Sequence, residues 1–536
     1  MMSLLFQEFI MRAIPIIIFL GTLSALPHAS HAGIADHQEF EAVLVAPFLA
    51  DAAGVRTLRL HFAAPGERQA RTLRWRLELL APDGRRIRLW RKQQSLTDTP
   101  IDVAIPWRPQ TGLRSGIYRL RLRARVGNEP DIEQSWEVAV GRAAVRPVPS
   151  LAPSLAAAAP DALPYATYLG NLHSQTNHSD GGGALDHCDG AQPPQSAALG
   201  PSDAYDYAQR HGLRFLMTSE HNHMYDGSDG TNAGADRAAA LALYRGGLQA
   251  AADRNRAHPD FLAIYGQEWG VINHGGHLNI LNSNELLGWE RNAQGELLAD
   301  TETPKGDYAG LYSLMRARGW AGQFNHPQNS QFAVDGKPLA WTADGDEVML
   351  LCEVMNSSAF STHDDEGEAH LSNYEATCNK LLEAGYHLAF SSNQDNHCAN
   401  WGAAYGNRTG VLLERGVALD NSSLLAALRA RRVFATMDKH AQLLLTGNGH
   451  PMGERFRNRG KLALQVRYTS GNGHYPAAIA LFQGVPGRNG TVAKLGARAR
   501  TVVTPAAGEH FYYARVTQDD GKILWSAPIW VSQDAH

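Results

Sequence analysis

Between Tyr165 and Asp438, side chains that can bind a cation or move a proton recur at the ends of apolar segments. Asn171-Leu172-His173-Ser174-Gln175 closes the first and runs on to His178-Ser179-Asp180-Gly181. Glu220-His221-Asn222-His223 closes the second, followed by Gly266-Gln267-Glu268, Gly276-His277 and Asn325-His326-Pro327. Glu353 and Asn356 end another, and Asn393-Gln394-Asp395-Asn396-His397 ends the last. One such histidine says little, since a solvated or hydrogen-bonded imidazole is ordinary. A series of them is different, because buried imidazoles and carboxylates without partners are costly. Nitrogen and oxygen donors without thiolate suit Zn, Mn or Fe. Such divalent ions would lower the pKa of a bound water and polarise a scissile group, which is hydrolase chemistry. Arg408 follows the last cluster and could stabilise an oxyanion; a surface salt bridge is the equal alternative. No P-loop, Ser-His-Asp arrangement or dinucleotide fingerprint points to other chemistry.

Residues so placed need strands whose carboxyl ends converge, as in α/β folds. Strand candidates are 167–172, 214–219, 261–265, 277–282, 320–325, 348–355, 387–392 and 409–413. Helical stretches fall between many of them: one capped by Ser202 and ending at Gly212, then 307–318, 368–383 and 422–431. This alternation predicts an α/β domain over 165–438, its sheet largely parallel and either open or closed into a barrel. Residues 37–141 alternate with period two instead. Leu73, Trp75, Leu77 and Leu79 interleave with Arg74, Arg76 and Glu78, and Tyr118 to Val126 interleave with Arg119, Arg121, Arg123 and Arg125. That pattern predicts an antiparallel sandwich with the arginines on a solvated face. Residues 142–164, rich in Pro and Ala, read as a linker. Residues 439–536 return to a β pattern.

The ordered motifs resemble those of the polymerase and histidinol phosphatase (PHP) superfamily. Its His-x-His and Ser-Asp-Gly are matched by His173 to Gly181, its Asp-His-Asn by Glu220-His221-Asn222, and its Gly-x-Glu by Gly266-Gln267-Glu268. Asn325-His326-Pro327 and Asp395-Asn396-His397 resemble its later motifs, and "GGHLNILN", "EVMN" and the closing "SAPIWV" resemble the CehA/McbA-type, carbaryl-hydrolase-like branch. The resemblance covers 165–531. It implies a multidomain chain whose central domain is a distorted (β/α)7 barrel flanked by two β-sandwich-like domains. It also implies one metal held by His173, Glu268 and Asp395, a second sharing Glu268 and adding His277 and His326, and a third on Asp180, His221 and His397. Gln175 stands where the family has its second histidine, which weakens the first position. His178 and His223 are extra imidazoles that could replace the lost ligand or protonate a leaving group. Cys188 and Cys398 each follow a ligand motif, so a bridge between them is expected; Cys352 and Cys378 read as buried free thiols.

Composition sets the remaining bounds. The chain has 536 residues, too many for one core, and its net charge of −4 argues against a nucleic-acid binder. Met11-Arg12, the apolar run to Leu26 and Ser30-His31-Ala32 form a signal-peptide pattern over 1–32, with Met11 as the expected start and the product exported to the periplasm or beyond. No later segment is long enough to span a membrane. The expected partner is a small-molecule or envelope-derived ester, a phosphoester first and a carbamate, carboxyl ester or amide as the alternative. A third reading is a binding protein with a degenerate metal site whose flanking β-domains grip envelope glycan or a partner.

Overall fold

The computed structural model describes residues 40–64, 69–110, 112–129, 131–141, 164–188, 190–328, 332 and 339–535. The expected signal peptide lies outside the described residues, as does the linker except for Pro164. Among the described residues no helix is long and apolar enough to cross a membrane.

The first seven strands are β1 (Glu41–Val45), β2 (Arg56–Ala63), β3 (Arg71–Leu80), β4 (Arg86–Leu96), β5 (Ile101–Trp107), β6 (Gly116–Val126) and β7 (Ile132–Val140). They form two antiparallel sheets, ordered β1-β2-β5 and β4-β3-β6-β7. The period-two pattern is the cause. Leu58, Leu60 and Phe62 face Leu73, Leu77, Leu120 and Leu122 in one core, while the intervening arginines point outward.

The middle of the chain follows. Its strands are β8 (Tyr165–Asn171), β9 (Phe215–His221), β10 (Leu262–Trp269), β11 (Leu278–Leu281), the short pair β12 (Leu287–Gly288) and β13 (Thr301–Glu302), β14 (Ala321–Phe324), β15 (Met349–Ser357), β16 (Leu371–Asn373), β17 (Ala389–Asn393), β18 (Arg408–Glu414) and β19 (Val433–Thr436). Its helices are α1 (Pro201–Arg210), α2 (Arg237–Ala257), α3 (Tyr308–Arg318), α4 (Ala343–Val348), α5 (Glu375–Ala384) and α6 (Asn421–Arg429). β9 and β10 are buried along their whole length, as strands covered on both faces must be, and they pair in parallel.

The expected (β/α)7 barrel is not seen. Strand makes up 42% and helix 16%, so the chain is mostly β-sheet. The hydrogen-bonded path does not close; it runs through β19 into the C-terminal strands as one 16-stranded sheet. Local connections explain part of this. The link from Trp269 to Leu278 is too short for a crossover helix, so β11 lies antiparallel to β10 and to β14. β8 and β19 also pair antiparallel with β18. Two helix expectations shift. Gly200, not Ser202, caps α1, with Pro201 in the first turn. Of 368–383 only the part from Glu375 is helical, because 371–373 joins the sheet as β16.

C-terminal strands β20 to β29 fill 441–533, and β28 (Ile523–Ser526) pairs with β19 through Phe434↔Ser526 and Thr436↔Leu524. The sequence expectation of free thiols at Cys352 and Cys378 is corrected: the two are bridged, Cα to Cα 5.9 Å. β15 carries one and α5, packed on it, carries the other. Cys188 and Cys398 are bridged as well, at 5.7 Å.

Candidate metal centre

The strand faces explain how the ligands come together. On β9, Phe215 and Met217 pack in the inner core and His221 continues the same face; on β10, Leu262 and Ile264 do so and Glu268 continues it. The opposite face carries Leu216, Ala263 and Tyr265, which pack against Ala204, Tyr205 and Leu241 of α1 and α2. Each strand is thus apolar at its base and polar at its carboxyl end.

Glu268 is the centre and is fully buried. Its Oε2 lies 3.1 Å from His173 Nε2 and 3.6 Å from His221 Nδ1. Its Oε1 lies 3.2 Å from His277 Nδ1 and 3.4 Å from His326 Nε2. Asp395 Oδ1 is 3.0 Å from His173 Nε2, and Asp180 Oδ1 is 3.4 Å from His397 Nε2 and 3.7 Å from His221 Nε2. Three ligand sets each gather their donor atoms within 4.8 Å: His173, His326 and Asp395; Asp180, His221 and His397; and His221, Glu268 and His277. The third set of the family resemblance therefore comes together as a unit. His326 also groups with His173 and Asp395, while its Nε2 and His277 Nδ1 both face Glu268 Oε1.

These residues fit a group of cations. All the donors are nitrogen or oxygen, and Asp180 Oδ1 and Asp395 Oδ1 are buried without a contact of hydrogen-bond geometry. The backbone is also held in an unfavourable state there. His326 sits at φ +26° and Asp395 at φ +51°, a region L-residues avoid unless their surroundings impose it. The His326 N–H donates to Glu353 Oε2 at 2.7 Å, and the Asp395 N–H donates to the His173 carbonyl at 2.9 Å. Gly181 is required by close approach, since a Cβ there would lie 2.5 Å from the Gln175 carbonyl carbon.

Charge is arranged accordingly. Burial acts to raise the Glu268 carboxyl, but His173, His277 and His221 hold it well below the ordinary carboxylate range. Burial opposes protonation of His397, yet Asp180 and Asp395 raise it to about 10. Glu220 is pushed up to about 7 by burial, against hydrogen bonds from Thr176 and Ser179. It lies on the helix-facing side of β9 and receives the Thr176 N–H and both hydroxyls, so it braces the loop after β8 and faces away from Glu268.

The other expected residues are placed differently. Gln175 donates through Nε2 to Glu268 Oε2 at 2.7 Å, while its side-chain Oε1 accepts from Ser179 Oγ at 3.1 Å. His178 faces the helix side, 2.6 Å from the Tyr265 hydroxyl, and burial lowers it to about 4. His223 lies near the cluster, its ring 5.7 Å from that of His221, and contacts Asp229 at 3.3 Å. Arg408 is buried, but it donates to the carbonyls of Tyr405 and Asn407 and pairs with Glu366 at 3.2 Å. Its neighbour Thr409 is the residue that turns toward Asn393 and the cluster side.

Sequence reasoning missed two groups. Asn325 donates to Glu268 Oε1 at 2.7 Å, and Glu353 meets His173 Nδ1 at 3.3 Å. Both stood inside quoted motifs, so the signal was present. The second group comes from the N-terminal sandwich. A cavity of about 360 Å³ over Asp180, His221, His326 and Asp395 is also lined by Glu41, Val43, His61, Ile132 and Gln134. Nothing in those strands marks them, because each is one polar or apolar residue in an ordinary alternation.

No family model matches the chain, and no curated protein does. Among solved structures, a CARDB domain of Pyrococcus furiosus is similar over 20% of this chain and 90% of its own, at 15% identity and a TM-score of 0.16. A glycosyl hydrolase family 2 member from Bacteroides cellulosilyticus is 10% identical, covering 93% of this chain and 64% of that one, with a TM-score of 0.15. A β-glucuronidase of Bacteroides uniformis is 11% identical over 92% of this chain and 61% of that one, at 0.16. This chain thus spans less than two thirds of either glycosidase. At these scores the likenesses carry no argument about fold or activity.

Proposed function

We propose that the chain is a metal-dependent hydrolase that directs an activated water at an ester-type bond. The observation that carries this reading is Glu268, whose two oxygens each face two imidazoles at 3.1–3.6 Å. That is the arrangement of a carboxylate shared between neighbouring cations. The three ligand sets would hold two or three divalent ions. Such ions supply a water of lowered pKa and a Lewis acid for the scissile group. The motif series supports a PHP-type site chemistry on these residues, without that family's barrel.

The surrounding residues have definable tasks. Asn325 and Gln175 each donate to one oxygen of Glu268 and so fix its rotamer. Glu353 engages His173 Nδ1, which leaves Nε2 directed at Glu268 and Asp395. Burial of the ligands keeps bulk water from competing for the charges. Above them the cavity wall combines Glu41 with the imidazoles of His61 and His370, neutral Gln134 and Ser358, and apolar Val43, Ile132 and Phe360. A phosphate dianion is best met by converging cations. A wall without lysine or arginine among the described residues favours a carbonyl substrate, a carboxyl or carbamate ester, over a phosphomonoester. Two disulfides suit an oxidising compartment, which supports export.

The test pairs metal analysis of purified and chelated protein with rates on carboxyl esters, carbamates, phosphomonoesters and phosphodiesters. Bound metal, activity that returns with it, and preference for carbonyl esters are expected. A chain that binds no divalent ion and hydrolyses none of the four classes would overturn the proposal.

A further inference from the structure

The outward face of the β4-β3-β6-β7 sheet carries more cations than its own carboxylates meet. Strand register sets them in rows. Arg91, Arg76 and Arg123 lie directly opposite one another across three strands, and Arg74 lies opposite Arg125 in the next row. Like charges directly opposite are destabilising, and any neutral polar residue would keep the alternation intact. Local counter-charges are few. Glu133 meets Arg123 at 2.5 Å and Asp131 meets Arg125 at 3.7 Å. Arg74 donates only to the neutral Gln93, Arg76 shares the field of Glu78, which is already paired with Arg86 and Arg121, and Arg91 has no ion-pair partner among the described residues.

These five arginines and Lys92 line a groove of about 510 Å³. Along β6 the same face continues through Arg121 and Arg119 into a second cavity, of about 810 Å³, where Lys380 and Arg515 stand. The run from Arg125 to Arg119 is ~20 Å of strand. Carboxylates in that second cavity are already engaged: Glu375 by Arg515, and Glu383 by the backbone N–H groups of Gly490 and Val492.

We infer that this track binds a linear anionic polysaccharide. Guanidiniums bind carboxylates and sulfates as bidentate forks, and two adjacent rows of them match repeated anionic groups along a chain. The face offers guanidiniums, amides and hydroxyls with one exposed large apolar side chain, Leu89, and the rings that line its cavities, Trp75, Phe482 and Tyr513, are buried, so it presents neither a stacking platform for nucleobases nor a wedge for a bilayer. The two disulfides point to an oxidising compartment, where glycans rather than nucleic acids are the ordinary polyanions. β7 links the track to the metal cleft. Glu133 and Ser135 face the second cavity, while Ile132 and Gln134 line the cavity over the ligands. A polymer on the track lies one strand away from the cleft.

The inference does not depend on hydrolysis, and its test uses the full chain. Heparin oligosaccharides and oligogalacturonates of defined length are titrated in about 150 mM salt, with duplex DNA and anionic phospholipid vesicles as separate arms. Saturable binding to one of the oligosaccharides is expected. The pair Arg76→Gln and Arg91→Gln should weaken it at least about tenfold with an equal or higher melting temperature, because a like-charge row is removed. Arg85→Gln, in the turn before β4, should leave it unchanged. Absence of saturable oligosaccharide binding overturns the inference, as does an equal loss in Arg85→Gln. Tighter binding to DNA or vesicles overturns the polysaccharide assignment.

Discussion

Replacing Glu268 with Gln separates charge from shape at the centre of the cluster. The side chain keeps its size, loses one negative charge and turns an acceptor into a donor. Four imidazole nitrogens stand 3.1–3.6 Å from the carboxylate oxygens, so no rotation of the amide avoids them. Two ions sharing Glu268 would lie about 3.5–4 Å apart and repel each other. At that range each unit of charge is worth about 4 kcal/mol at an effective dielectric near 20. Losing the shared charge therefore corresponds to roughly a thousandfold in affinity for the weaker ion. That exceeds the ~10–100-fold typical of residues that only orient a ligand. The assay is metal content per chain after dialysis, measured beside kcat/KM on the preferred ester. At least one ion should be lost and kcat/KM should fall by more than about a hundredfold. Full metal with full rate would refute the shared-carboxylate reasoning.

Gln175→His should be tolerated and raise metal content, since Nε2 of Gln175 already reaches Glu268 at 2.7 Å and an imidazole there adds a ligand; lower metal content would give Gln175 a task of its own. Replacing Cys188 and Cys398 together with Ser should loosen the loop carrying His397, lowering metal affinity and costing about 2–4 kcal/mol in denaturant unfolding; unchanged affinity would detach the bridge from the site. Glu375 answers to pH. Burial acts to raise its carboxyl, but Arg515 and the Tyr513 hydroxyl hold it below its ordinary 4.5. A depressed folded pKa means stabilisation that is present above that value and is lost as pH falls through the folded one. Glu375→Gln should therefore have a lower melting temperature at pH 7 and a shallower decline on acidification below about pH 4.5, checked by calorimetry across the range.

The site was more legible than the fold. His173, Glu268, Asp395 and their companions could be read because several rare residue types recur at strand ends, and that recurrence survives any way of pairing the strands. The barrel could not be read correctly, because β-strand pairing is a long-range choice. A segment such as 278–281 looks the same whether it runs parallel or antiparallel, and only the length of its link to β10 tells them apart. The 368–373 stretch was misassigned for a similar reason. Its polar run is compatible with a helix until Asn373 is pinned to the N-terminal sandwich by Gln134 and Ser135. Gln175 was legible as a departure, while its hydrogen bond to Glu268 depended on a neighbour 93 positions away. Arg408 failed by alternation: it sits one position from Thr409, which faces the cluster side, and so turns to the other side of its strand; His178 lies in the turn after β8, which carries its ring to Tyr265 instead.

The ladder between β19 and β28 has a consequence for how this molecule can be made. Thr436 finds its partner only when Leu524 has been synthesised. Until then β19, the strand next to β18, has an edge without its partner strand. A nascent or truncated chain ending before that point would carry an adhesive border, prone to pairing with other chains. Residues 523–526 thus serve as a closing seam, and completion of the sheet beside the metal-binding layers is tied to their arrival. In such a chain the C-terminal region is not a removable appendage: its loss would first appear as aggregation, ahead of any change in catalysis.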